Sequence, residues 1–210
     1  MIPPSVDTIL VFTKKPTPGA VKTRIAATIG EEEACALYRE WVGRVYRQLQ
    51  PLRPECRVAG YFSGGGKFAF AEWLDLADDW LPQPPGDLGA RLAWAFAAEI
   101  FSADPAFGRR FAIGTDCLEV TPAIVQAART ALVTHDAVFG PAQDGGYYLI
   151  GLRAPAPAGF FDAVRWSSEH ALADQLERCR ALALTFALLP TLRDLDTEAD
   201  WLAWQQENGP

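Results

Sequence analysis

The spacing of apolar positions changes repeatedly along this chain. Ile9, Leu10, Val11 and Phe12 form an unbroken apolar run, the mark of a strand buried on both faces. Ala34, Leu37, Tyr38, Trp41, Val42, Val45, Tyr46 and Leu49 instead follow i, i+3, i+4 spacing, which predicts an amphipathic helix over Glu31–Leu49. Glu31, Glu32 and Glu33 fall in its first turn, where the helix dipole favours negative charge. The alternation continues with a strand at Arg57–Phe62 and a short helix near Phe68–Leu74. A second long helix is lined by Leu88, Leu92, Ala95, Phe96 and Ile100, and a buried strand follows at Arg110–Ile113. Thr121-Pro122 reads as an N-cap with Pro at the first helical position, opening a helix to about Leu132. Short strands are expected at Ala137–Phe139 and Tyr147–Leu152, joined through the turn Pro141–Gly146. A helix over Glu169–Cys179, an extended stretch over Leu184–Leu189 and a helix over Thr197–Gln206 complete the pattern.

Strands separated by helices predict an α/β fold with a mixed sheet covered on both faces. The return at Asp144-Gly145-Gly146 is too short for a crossover, so part of that sheet is expected to be antiparallel. No repeat, linker or low-complexity segment interrupts the 210 residues, and the expectation is a single domain over 1–210.

Composition narrows the chemistry. A net charge of −7 argues against nucleic acid as a partner, and no apolar stretch approaches the roughly 20 residues of a membrane span. The start of the chain shows no secretory signal. Four cysteines without a C-x-x-C pair then read as free thiols in the cytoplasm. With only two histidines, and no G-x-S-x-G, chemistry is left to carboxylates, cations and a hard metal. Seven tryptophans are enough for a core or for a homodimer interface, and both readings stay open.

Against this acidic average, the stretch after the first strand carries Lys14, Lys15, Lys22 and Arg24 around Pro18 and Gly19. A buried strand opening into a basic, Gly-containing loop suits the phosphates of a nucleotide, whereas lysines are otherwise mostly solvated surface. It is not a P-loop, because Val21 stands where that motif needs Gly before Lys22-Thr23. Ser63–Lys67, with three glycines, reads as a turn. Asp116 leaves the strand Arg110–Ile113 through Gly114, from where it could reach a phosphate-bridging Mg²⁺ or cap a turn. Cys117 beside it has no base in register and reads as a small buried hydrophobe. Asp144-Gly145-Gly146 is ordinary turn chemistry, and the tyrosines after it, Tyr147 and Tyr148, point to opposite faces of a strand. Arg193–Asp200 reads as an acidic helix start.

Taken together, ILVFTKKPTPGAVKTR (Ile9–Arg24), PPGDLGAR (Pro84–Arg91), GTDC (Gly114–Cys117), GPAQDGGYYLIGL (Gly140–Leu152) and DLDTEADW (Asp194–Trp201) resemble a known group. They are similar to the bacterial glycosyltransferase-like family of GT-A nucleotide-diphospho-sugar transferases, some members of which are linked to arsenosugar biosynthesis. That family is also similar to 2-phospholactate guanylyltransferase and the molybdenum-cofactor nucleotidyltransferases. The resemblance implies a three-layer α/β/α sandwich with a mixed, mostly parallel sheet. It implies that Lys14, Lys15, Pro18, Gly19, Lys22, Thr23 and Arg24 hold the nucleotide phosphates, and that the segment Pro84–Arg91, with Gly86, Asp87, Leu88 and Gly89, lies where relatives contact the base. Asp116, Lys22 and Arg24 would be catalytic, with Mg²⁺ or Mn²⁺ on Asp116 and Asp196. Asp144, Gly145, Gly146 and Tyr147 would face the acceptor, with Trp166 beside them as contact or packing. Two departures stand out: Leu118 replaces the usual Pro after Asp-Cys, and Pro85 stands where relatives carry Gly.

The expected function is metal-dependent transfer from a nucleotide-activated donor to a small-molecule acceptor, by a glycosyltransferase using a nucleotide-sugar. A nucleotidyltransferase releasing pyrophosphate, or a non-catalytic nucleotide-binding regulatory domain, would use the same scaffold.

Overall fold

The computed structural model describes residues 6–97 and 108–208. Seven strands form one sheet in the order β3-β2-β1-β4-β6-β5-β7. They are β1 (Asp7–Lys14), β2 (Cys56–Ser63), β3 (Asp79–Pro82), β4 (Arg110–Ile113), β5 (Ala137–Pro141), β6 (Tyr147–Leu152) and β7 (Phe186–Leu188). Pairs β1–β2, β1–β4, β2–β3 and β5–β7 are parallel, and β6 runs antiparallel to both β4 and β5. The sheet is thus mixed and mostly parallel, and the short Asp144–Gly146 return makes its antiparallel step.

Helices cover both faces. Alternation along β1 sends Ile9 and Val11 to one side and Leu10 to the other, where each joins a separate apolar cluster. The first is roofed by α1 (Thr23–Ile29), α2 (Glu31–Leu49), α3 (Lys67–Trp73), α5 (Pro122–Ala131) and α7 (Glu198–Asn208). The second is covered by α4 (Leu88–Ala95) and α6 (Ala171–Ala181). This is a three-layer α/β/α sandwich. Each large side chain fully buried in it, Trp41 or Phe111 for example, is worth about 1.5–3 kcal/mol against exposure.

Three elements lack a counterpart in the apolar pattern: the seven-residue α1, which takes in Thr23 and Arg24, the single 3-10 turn Gln50–Leu52, and the edge strand β3. α4 is traced only to Ala95, and Ile100, expected on the same helix, lies outside the described residues. The final helix begins at Glu198, which leaves Arg193–Thr197 non-helical.

The two ends of the sheet differ. At the amino end of β1, Asp7 is 4% exposed and takes both Arg109 (2.7 Å) and Arg129 (2.8 Å), an ion cluster that closes that end. At the carboxyl end, Lys14 lies opposite Ser63 of β2, but β4 stops at Ile113, opposite Val11. The chain leaving β4 therefore drops into a notch beside the last turn of β1. Open α/β sheets bind ligands at such carboxyl ends.

Candidate functional site

The basic loop is built around Lys22. Lys14 Nζ donates to Ala20 O at 2.7 Å and closes the loop on itself. Lys22 caps α1 in the left-handed region, φ 46° and ψ 44°, a conformation costing a non-glycine residue about 1–2 kcal/mol. Its side chain is 6% exposed. The ammonium donates to Leu195 O at 2.7 Å and meets Asp116 Oδ1 at 2.7 Å and Asp196 Oδ1 at 3.1 Å. Hydrogen bonds to charged groups contribute about 1.5–3 kcal/mol each, so these contacts outweigh the backbone strain. The positive φ that bars Val21 from a P-loop role is adopted one residue later.

Asp116 follows the Ile113–Gly114 exit from β4, and the segment 194–196 is brought against it by Leu195 N–H donating to Asp116 O at 2.9 Å. Tyr38 of α2 braces the same corner: Lys14 N–H donates to its hydroxyl at 3.0 Å, and Thr115 Oγ1 approaches that hydroxyl at 3.4 Å. Burial pushes the Tyr38 phenol up to about 12, so it works as a neutral brace. Asp194, which the sequence pattern left inside a helix start, turns toward the same place. Burial, then the nearby carboxylates of Asp144, Asp116 and Asp196, push its carboxyl up to about 7, with Lys22 opposing. Cys117 is 1% exposed and burial lifts its thiol to about 12, which removes it as a thiolate nucleophile. All four cysteines are free and buried.

Two cavities meet at Asp116 and Asp196. The first, about 390 Å³, runs from Lys14, Lys22 and Arg24 past Ser63 to Gln83 and Arg91. The second, about 440 Å³, lies between Asp144, Asp194, Tyr147 and Trp166. Phe12, Arg24, Leu88 and Thr115 line both. Arg24 reaches Asp196 Oδ2 at 3.7 Å from a side chain that is 74% exposed, a weak tie that leaves it free to meet a ligand.

The other expected residues are placed as follows. Lys22, Thr23, Arg24, Lys14, Leu88, Asp116 and Asp196 come together on the first cavity, and Asp144, Gly146, Tyr147 and Trp166 on the second. Lys15 packs along the Gly64-Gly65 turn, and Pro18 and Gly19 are exposed on the loop; none of the three is in the cavity lining. Gly86 (φ 122°) accepts from Arg91 Nε, and Asp87 caps α4 by accepting from Ala90 N–H at 2.8 Å. Gly89 faces Trp166 so closely that a Cβ there would fall inside the indole. The glycine at 145 takes φ 86° with Glu169 backbone against it, while Asp144 Oδ1 accepts from Gly146 N–H at 2.8 Å. The Tyr147 ring lines the second cavity and stands edge-on to Trp166 at 6.5 Å, and its hydroxyl is buried with no hydrogen-bond partner among the described residues.

The residues fit a divalent cation in a limited way. Two carboxylates converge on a single ammonium, so both are within reach of one cation, and Mg²⁺ is commonly held by one or two carboxylates plus substrate phosphates. Among the described residues, no group of three or more acidic, His or Cys side chains forms a complete protein cage. Gln83 and Asp194 were not among the expected site residues, whereas Arg91 closes the expected segment Pro84–Arg91. Asp194 opens DLDTEADW, a motif read as a helix start, and Gln83 carries no local signal.

Comparison with known proteins agrees with this architecture. Residues 50–168 match the family described as "Uncharacterized protein conserved in bacteria (DUF2064)". No curated protein matches the chain at a significant level. A Desulfovibrio desulfuricans G20 protein, proposed to be a nucleotide-diphospho-sugar transferase, has 31% identity and a TM-score of 0.86, over 98% of this chain and 88% of its own. The 4-diphosphocytidyl-2C-methyl-D-erythritol synthase of Anaerococcus prevotii DSM 20548 shares the fold at 8% identity, TM-score 0.63, over 96% and 99% of the two chains. Rv0371c of Mycobacterium tuberculosis H37Rv, solved with manganese, does so at 14% identity and TM-score 0.52, over 96% and 98%.

Proposed function

Because the chain belongs to the DUF2064 family, and Lys22, Asp116 and Asp196 join two cavities, we propose that it is a metal-dependent transferase using a nucleotide-activated donor. The donor diphosphate occupies the first cavity and a small-molecule acceptor the second. The observation that carries this reading is the convergence of Asp116 and Asp196 on Lys22 where the cavities meet. Mg²⁺ or Mn²⁺ on these two carboxylates would neutralise charge on the donor phosphates. Lys22 and Arg24 bind and orient the same phosphates and offset the charge that builds on the leaving group, so catalysis is positioning and electrostatics.

Glycosyl transfer is the favoured reaction. The acceptor hydroxyl oxygen attacks the sugar carbon and gives up its proton to solvent, the bond to the diphosphate breaks, and its electron pair stays with the departing nucleoside diphosphate. The second cavity is lined by four carboxylates, and Arg24 is its one cation among the described residues. Such a wall suits a neutral hydroxyl acceptor better than a phosphate nucleophile. Nucleotidyl transfer remains the second reading, supported by the fold shared with a 4-diphosphocytidyl-2C-methyl-D-erythritol synthase.

The test is thermal stability against nucleoside triphosphates, diphosphates and nucleotide-sugars, with and without Mg²⁺ or Mn²⁺, followed by product analysis. A ligand at a hundred times its Kd adds about 2.7 kcal/mol, a readable shift. Metal-dependent stabilisation by a nucleotide-sugar, with release of nucleoside diphosphate, is expected. Pyrophosphate release from a triphosphate would move the reading to nucleotidyl transfer, and tight binding without turnover would make the protein a regulatory binder. Asp116→Ala should stay folded and lose turnover on the order of a hundredfold; full turnover at saturating metal would sink the assignment.

A further inference from the structure

The part of the first cavity beside β2 and β3, across β1 from Asp116, takes no part in the reaction step above. Ser63 closes β2 there, Gln83 follows β3, and Arg91 lies on α4. Arg91 is clamped, its Nε donating to Gly86 O at 3.1 Å and its Nη1 to Gln83 Oε1 at 3.2 Å. Gln83 is clamped in turn, its Nε2 donating to Tyr61 O at 2.7 Å. These partners fix which way the amide faces, nitrogen to a carbonyl and oxygen to a guanidinium. Arg91 Nη2 has no protein partner among the described residues, although the side chain lines the cavity. Pro84 and Pro85 lack backbone N–H groups, so the loop beside them offers carbonyls and no amides at those positions.

We infer that the Arg91–Gln83 pair selects the base of the donor nucleotide, and that it prefers a base with two adjacent hydrogen-bond acceptors. This rests on the nucleotide reading of the first cavity and goes beyond it. A guanidinium held this way presents donors side by side. Guanine answers with O6 and N7, and cytosine with O2 and N3. Uracil places N3–H between its two oxygens, and adenine sets its amino group beside N1 and N7 and leaves N3 without an adjacent acceptor on the same edge, so neither offers the guanidinium two acceptors side by side. The unused lone pair of Gln83 Oε1 adds an acceptor next to the fork, which the cytosine amino group satisfies and the guanine O6/N7 edge does not. The pair therefore reads donor, donor, acceptor, and cytosine is its best complement.

Isothermal titration of the full chain with CDP, GDP, UDP, ADP and inorganic pyrophosphate, in Mg²⁺, tests this. CDP and GDP should bind about tenfold or more tighter than UDP and ADP, with CDP the tightest. Arg91→Met should level the four nucleotides while costing pyrophosphate much less affinity than CDP. Should Arg91→Met fail to fold by circular dichroism, Arg91→Lys keeps the charge without the fork and should give the same levelling. Gln83→Leu should erase the advantage of CDP over GDP. The inference is overturned if UDP or ADP binds tightest in the unaltered protein. It is also overturned if the Arg91 variants weaken all four nucleotides and pyrophosphate equally, since Arg91 would then hold phosphate. If pyrophosphate and all four nucleotides fail to bind, the nucleotide reading itself falls; pyrophosphate binding with no base preference removes the base inference alone.

Discussion

The two cavities differ in charge more than in size. Among the described residues, the first is lined by Lys14, Lys22, Arg24 and Arg91 against Asp116 and Asp196; the second by Asp116, Asp144, Asp194 and Asp196 against Arg24 alone. The acids they share sit on the seam. A polyanion is drawn to the first chamber and kept out of the second, which biases the molecule toward one binding orientation before any specific contact forms. Their supports differ too. The first is held by side chains tied to backbone, Lys22 to Leu195 O and Gln83 to Tyr61 O, whereas the second is walled by aromatic rings, Trp166 lying against Gly89 and edge-on to Tyr147.

The largest way to break this comparison is at the seam. Lys22→Asn keeps a residue that tolerates positive φ and removes the ammonium. Turnover should fall on the order of a hundredfold or more in initial-rate assays at saturating donor, with the fold retained. Undiminished turnover would mean the cavities do not share a catalytic junction. Next comes Trp166→Ala, which strips a wall from the second cavity: acceptor KM should rise about tenfold with donor affinity unchanged. An equal loss at both would show that the chambers are not independent. Ionic strength should separate them further. Raising it from ~0.05 to ~0.5 M should weaken pyrophosphate binding several-fold while leaving a neutral acceptor's KM flat. The smallest effect expected is on stability. In Gly89→Ala the helix gains intrinsic propensity of about 1 kcal/mol, but the methyl meets the Trp166 indole, and such overpacking costs about 1–3 kcal/mol. A lowered Tm in thermal melts is expected; a raised one would mean Trp166 moves aside freely.

How much of this was legible in the chain follows from what local patterns encode. α2 runs over Glu31–Leu49 as its apolar spacing requires, and β1, β4, β5 and β6 stand where short apolar runs put them. The antiparallel step at β6 follows from the length of the Asp144–Gly146 return. α1 was missed because only Ile25 of its seven residues is buried, too few to show a period. β3 was missed because an edge strand of four residues ending in Pro82 looks like a loop. The site splits in the same way. Lys22 and Asp116 were visible as residues flanking strands. Asp194 was read as part of a helix start; its place depends on Leu195 pairing with Asp116 across the fold. Gln83 and Arg91 are joined by side-chain hydrogen bonds that no period in the sequence records.

The bond from Lys22 to Asp196 joins residues 174 positions apart. During synthesis the basic loop and β1 leave the ribosome early, and the partner that fixes Lys22 arrives only after the other six strands have been made. Until then Lys22 lacks Asp196 and Leu195, and β4 lacks the segment that pins Asp116. A nascent chain can therefore collapse around its sheet yet stay unable to organise its junction. The junction is thus the last part of the site to be assembled, and a chain ending before residue 194 would keep all seven strands yet lack the partners that fix Lys22 and Asp116.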